Sequence, residues 1–105
     1  MTNLPLGRLL TGGAAPPTGE HHQELVRFGP VRVEQILTGR LDAPLDFDQD
    51  HDEWVVVLAG GATLDVSGRS LELTAGDWVL LRARVPHRLV SAEPGTSWLA
   101  VHSAP

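Results

Sequence analysis

The longest uninterrupted apolar run in this chain is residues 54–59, and Gly60-Gly61 stops it. That brevity constrains the fold more than any other feature. A buried helix shows an apolar stripe repeating every three or four residues over roughly ten positions. From Val31 onward the period is two instead. Val31, Val33 and Gln35 alternate with Arg32, Glu34 and Ile36, and Leu45 and Phe47 share one face opposite Asp46, Asp48 and Asp50. Residues 54–59, apolar and rich in β-branched side chains, read as a strand buried on both faces. Residues 63–66, 71–73, 78–81, 88–91 and 97–101 continue the series. Turns at Gly60-Gly61, Ser67-Gly68-Arg69, Ala75-Gly76-Asp77 and Glu93-Pro94-Gly95 separate them. Short strands between tight turns predict an all-β barrel or sandwich.

A chain of 105 residues makes one domain. Residues 1–30 read as a lead-in and residues 31–105 as the barrel. Gly12-Gly13-Ala14-Ala15-Pro16-Pro17 suits a surface path, and Thr18 is placed to cap a short helix over residues 19–27. Only Leu25 and Val26 offer that helix an apolar face. Side chains one position apart on a helix point about 100° from each other, so His21 and His22 read as solvated rather than as a metal pair.

Absences exclude whole classes of chemistry. There is no Cys, hence no disulfide, thiolate metal site or Cys nucleophile. All eight basic residues are Arg, so neither a Lys Schiff base nor a phosphate loop with its Lys is available. The net charge of −5 argues against nucleic acid as a partner. No apolar run approaches the length of a membrane span. The start, Met1-Thr2-Asn3-Leu4-Pro5, has no basic and apolar leader pattern, which makes the cytoplasm the expected location.

Two stretches carry a family likeness. Glu53 followed by six apolar residues and Gly60 resembles the end of the first cupin motif. Gly76-Asp77-Trp78-Val79-Leu80-Leu81 with Val85-Pro86-His87-Arg88 resembles the second. Gly76 and His87 are ten residues apart in between, and fifteen residues separate Gly60 from Gly76. The likeness covers residues 47–91, and the closing Trp98-Leu99-Ala100-Val101-His102 also resembles small single-domain cupins. It implies a double-sheet jelly-roll β-barrel whose interior often holds a divalent metal such as Fe, Ni, Mn or Zn. In that family the ligands are an HxH pair, a Glu and a second-motif His. Glu53 and His87 match the last two. The HxH pair falls on Phe47 and Gln49, so both of its histidines are missing. Arg82, Arg84 and Ser91 stand where the second motif has Pro, Gly and Asn, and Leu41 where the first motif opens with Gly.

Phe47 ligates nothing and shares a face with Leu45, which predicts that it packs the barrel interior. Gln49 offers a carbonyl oxygen, a poor partner for Fe, Ni or Zn beside imidazole. His51 lies two residues before Glu53. The candidate metal set is therefore Gln49, His51, Glu53 and His87, with His102 as a further candidate on the last strand. Without metal, Glu53 and His87 are expected to hydrogen-bond each other, because a lone buried carboxylate is costly.

Six acids, Asp42, Asp46, Asp48, Asp50, Asp52 and Glu53, fall within twelve residues. A calcium loop beginning at Asp46 needs Gly at 51 and Glu at 57, where His51 and Val57 stand. One beginning at Asp48 meets Glu53 and Ala59, so it fails too. The acids read as a solvated face countered by Arg82, Arg84 and Arg88; the alternative is that these arginines ring the barrel mouth and hold a carboxylate or phosphate bidentately. Trp54, Trp78 and Trp98 read as core and interface residues.

Two classes of function follow. One is a metal-dependent enzyme acting on a small polar metabolite. The other is a non-catalytic, metal-free barrel binding a small ligand as sensor or carrier, since one fold hosts many functions. Residues alternating with Glu53, namely Trp54, Val56 and Leu58, should form an outward apolar stripe, and an uncovered stripe predicts a homodimer.

Overall fold

The computed structural model describes residues 4–104. Nine strands follow in chain order: β1 (Glu20–Phe28), β2 (Val31–Thr38), β3 (Leu45–Phe47), β4 (Glu53–Ala59), β5 (Gly61–Val66), β6 (Arg69–Thr74), β7 (Trp78–Leu81), β8 (His87–Ala92) and β9 (Thr96–Ser103). They form a five-stranded sheet, β1-β2-β9-β4-β7, and a four-stranded sheet, β3-β8-β5-β6. All strand pairs are antiparallel, and the two sheets face each other as a jelly roll. Among the described residues no helix is long and apolar enough to cross a membrane.

The expected helix over residues 19–27 is a strand, β1, which pairs along β2 from Glu20↔Thr38 to Phe28↔Val31. An isolated helix of that length is marginal, and two apolar residues give it little to bury. Pairing with an existing sheet edge satisfies the backbone better. The only helical turn among the described residues is a 3-10 turn at Gly12–Ala14. Elsewhere the predicted strands stand within a few residues of their places, except the first acidic one, which pairs only over Leu45–Phe47.

Period two sets the faces. On β4, Glu53, Val55 and Val57 are buried, while Trp54 and Val56 are half-buried and Leu58 is exposed. The buried set joins Ile36, Leu64, Leu73, Leu81, Leu89, Trp98 and Ala100 between the sheets. Each fully buried aliphatic side chain there contributes roughly 1.5–3 kcal/mol. Gly60 closes β4 at φ +86°, and a Cβ on it would lie 2.5 Å from Thr96 Oγ1. Both the left-handed backbone and the close approach demand glycine.

β2 is buried on both faces. Glu34 and Ile36 point between the sheets, whereas Gln35, 1% exposed, lies under the N-terminal segment. Its side chain accepts from the Leu10 amide and donates to the Leu10 carbonyl, each at 2.8 Å, and also donates to Ser97 Oγ at 2.9 Å.

Candidate functional site

A cavity of about 70 Å³ opens between the sheets, walled mostly by apolar core residues from β2, β4, β5, β8 and β9. Polar side chains enter it from two sides. On the first, β1, β2 and β9 contribute His22, Glu34 and His102; on the second, Gln49, Glu53 and His87 come from the β3–β4 loop, the start of β4 and the start of β8.

The first side is closed on itself. His102 Nε2 donates to Glu34 Oε1 at 2.9 Å, His22 Nδ1 donates to the same oxygen at 3.2 Å, and Arg32 donates to Glu34 Oε2 at 3.0 Å. His22 Nε2 reaches Glu20 Oε1 at 3.3 Å. Hydrogen bonds to Glu20 and Glu34 stabilise the His22 imidazolium against burial and push its pKa up to about 10. For Glu34, burial works against ionisation, but hydrogen bonds from His102 and His22 outweigh it and hold the carboxyl well below the usual range. His22 thus reaches the edge of the site while it and His21 both remain exposed, as expected of a solvated pair. A helical spacing hid this. Read as a strand, Glu20 and His22 share a face, and the pairing His22↔Ile36 sets that face beside Glu34.

The second side is left open. Gln49 Oε1 is buried and has no hydrogen-bond partner among the described residues. The Glu53 side chain is 8% exposed, and its nearest basic neighbour, His102 Nε2, lies 4.0 Å away with its proton committed to Glu34. His87 Nδ1 donates to the Val85 carbonyl at 3.3 Å. In a neutral ring that bond fixes the proton on Nδ1 and makes Nε2 an acceptor. The expected Glu53–His87 hydrogen bond is not formed, because His87 turns its donor toward Val85. Phe47 does face the interior, and its ring stacks on His87 with centroids 5.2 Å apart and planes 13° apart.

Of the four candidate ligands, the structure brings Gln49, Glu53 and His87 to one cavity and leaves His51 outside it. His51 lies in a surface pocket beside Arg27 and Arg32. Its ring bonds Asp50 Oδ1 and His102 Nδ1, both at 2.9 Å. His102 lines the cavity as expected for an inward residue of the last strand, but spends both ring nitrogens on His51 and Glu34. The arginines pair with the acidic face as read from sequence: Arg88 with Asp46 at 2.6 Å, Arg82 with Asp52 at 3.6 Å, and Arg84 with Asp48 at 3.9 Å.

Two facing antiparallel sheets, with the motif residues Glu53 and His87 at one interior cavity, define a jelly-roll barrel of the cupin type. The chain belongs to the cupin family: the family model for the Cupin domain matches residues 32–102. Solved structures agree. A candidate mannose-6-phosphate isomerase from Ralstonia eutropha JMP134 superposes with a TM-score of 0.77 at 29% identity, covering 94% of this chain and 100% of that one. KdgF from Halomonas sp. gives 0.75 at 17% identity over 83% and 82% of the two chains. The EutQ protein of Clostridium difficile gives 0.69 at 17% identity over 92% and 75%. The last two likenesses are of fold. The chain matches no curated protein sequence.

The family resemblance implies a divalent metal, and the donor set here does not fit one. Among the described residues no three His, Cys, Asp or Glu side chains gather as a metal-holding group. The open side of the cavity offers one imidazole, one carboxylate and one amide oxygen, a weak set for a transition ion, and the histidines of the other side are bonded to carboxylates. At the first HxH position stands Phe47, whose ring packs on His87.

Proposed function

We propose that this protein is a metal-independent cupin that binds a small polar ligand in the interior cavity, as a sensor or carrier. The observation that carries the reading is the uneven state of the cavity's polar groups. The N–H donors of His22 and His102 are committed to carboxylates, while Gln49 Oε1 is buried without a partner. A buried polar atom left unpaired costs about 1–3 kcal/mol, which a ligand recovers by pairing it. The apolar walls supply contact area, and the few convergent polar groups supply orientation, the usual make-up of a small-molecule site. Gln49, Glu53 and His87 are the ligand-contacting residues in this reading. Elemental analysis of protein purified without an affinity tag, before and after supplementation with Fe, Ni, Mn and Zn, tests it. Less than a tenth of an equivalent of metal is expected by analogy with sites lacking a proper donor set. One firmly held equivalent contradicts the reading and restores the metal-dependent enzyme.

The same protein acts as a homodimer in this proposal. Trp54 and Val56 continue outward onto β7, where Trp78 and Leu80 are their register partners and Trp78 is 61% exposed. The N-terminal segment does not cover that face: residues 5–10 run beside residues 23–26 of β1. A second copy is the economical cover for such a patch. Light scattering should give about twice the chain mass of 11.3 kDa, and Trp78→Arg should halve it.

A further inference from the structure

We propose that the group recognised in the cavity is a primary ammonium. The inference rests on the metal-independent binding reading above and names the chemistry of its ligand. The argument is an account of donors and charge. Three cavity acceptors have no hydrogen-bond donor among the described residues: the Glu53 carboxylate, Gln49 Oε1 and, in the tautomer fixed by Val85, His87 Nε2. A primary ammonium carries three N–H donors and one positive charge, so it matches that set in number and sign.

Charge leads to the same ligand. Glu34 and Glu20 share the His22 imidazolium, and Arg32 is bonded to Glu34. The Nε2 proton of His102 also goes to Glu34. The Glu53 side chain, 8% exposed, has no cation within hydrogen-bond distance among the described residues, and His102 Nε2 stands off at 4.0 Å. Burying a carboxylate that way is expensive unless a partner arrives. A carboxylate or phosphate ligand would meet repulsion there.

Size and access set the ligand's shape. About 70 Å³ holds only a few water-sized atoms, so the cavity takes the amine and one or two carbons. Phe47 and His87 also line a larger outer pocket of about 460 Å³, whose rim carries Asp46, Asp48 and Asp65. A longer amine can leave its tail in that pocket, where Arg88 already pairs with Asp46 and Arg84 with Asp48.

The test uses full-length protein treated with chelator and dialysed, followed by amide NMR at constant ionic strength. Ethylammonium chloride and tetramethylammonium chloride are the probes, with sodium acetate as the anion control. Ethylammonium should shift amides near Gln49, Glu53 and His87 saturably, in the millimolar range usual for so small a ligand. Tetramethylammonium, which has the charge but no N–H, should not. Glu53→Gln should keep the folded spectrum and weaken ethylammonium at least about tenfold. Equal binding of tetramethylammonium, unchanged binding to E53Q, or saturable shifts with acetate but not ethylammonium would each overturn the inference while leaving metal-independent binding intact. A stoichiometric metal in untreated protein overturns the underlying reading instead.

Discussion

Glu34 and Glu53 are both nearly buried carboxylates reaching one cavity from the same sheet, yet their surroundings differ completely. Glu34 takes hydrogen bonds from His22, His102 and Arg32, and its charge is settled within the protein. Glu53 sits two strands away, 4.0 Å from the nearest imidazole nitrogen, which points its proton elsewhere. Buried polar groups that satisfy one another fix a structure, and a partly satisfied set costs stability. The difference separates a closed side of this cavity, whose polar groups bond one another, from an open side, where Gln49 Oε1 has no partner among the described residues.

The most drastic way to break that comparison is to give the open side its missing ligands. Phe47→His with Gln49→His places imidazoles at both vacant motif positions beside Glu53 and His87. The double variant should gain about one equivalent of Zn or Ni by elemental analysis, against little expected for the parent. A variant that stays metal-free would mean that the loop before β4 holds these side chains away from Glu53.

The barrel was legible from the sequence because its signal is local and repeated. Alternation along residues 54–59, the glycine at 60 and the spacing from Gly76 to His87 each depend on a few neighbouring residues. The cavity lining was legible only where it coincides with those motifs, at Gln49, Glu53 and His87. His22, Glu20 and Glu34 were missed because their meeting depends on β1 being a strand, and its sequence has no strong period of either kind. The direction of His51 is not readable from sequence, because a loop's course depends on its partners, here Asp50 and His102, rather than on distance along the chain from Glu53. The outward stripe on β4 was readable, whereas its extension onto Trp78 and Leu80 came only with the register.

A smaller effect sharpens the comparison at His87. His87→Ala removes a buried ring stacked on Phe47, and should destabilise the protein by roughly 1–3 kcal/mol in chemical denaturation. That loss comes from packing, because no hydrogen bond to Glu53 is broken. The double variant His87→Ala/Glu53→Gln should therefore show the sum of the two single effects. A strong coupling between the two positions would mean that the pair interacts directly in solution.

The smallest effect is on pH dependence. The folded pKa of His22 lies near 10 against an ordinary 6.5, so its stabilisation is complete below about 6.5 and is lost as pH rises toward 10. Glu34 has the opposite sign: its contribution is present above the ordinary 4.5 and is lost as pH falls. The melting temperature should decline between pH 7 and pH 10, and His22→Gln should flatten that limb. His22 is nearly half exposed, so the slope is modest. An identical alkaline limb in the variant would place the titration elsewhere.

The difference between the two carboxylates is tested most directly by melting Glu34→Gln and Glu53→Gln side by side at pH 7 without added ligand. Glu34→Gln strips charge-assisted hydrogen bonds from three partners and should cost roughly 2 kcal/mol or more, several degrees in Tm. Glu53→Gln removes a buried charge that the protein itself does not satisfy, so its Tm should hold or rise. Equal destabilisation by the two substitutions would contradict the division of this cavity into a closed side and an open one.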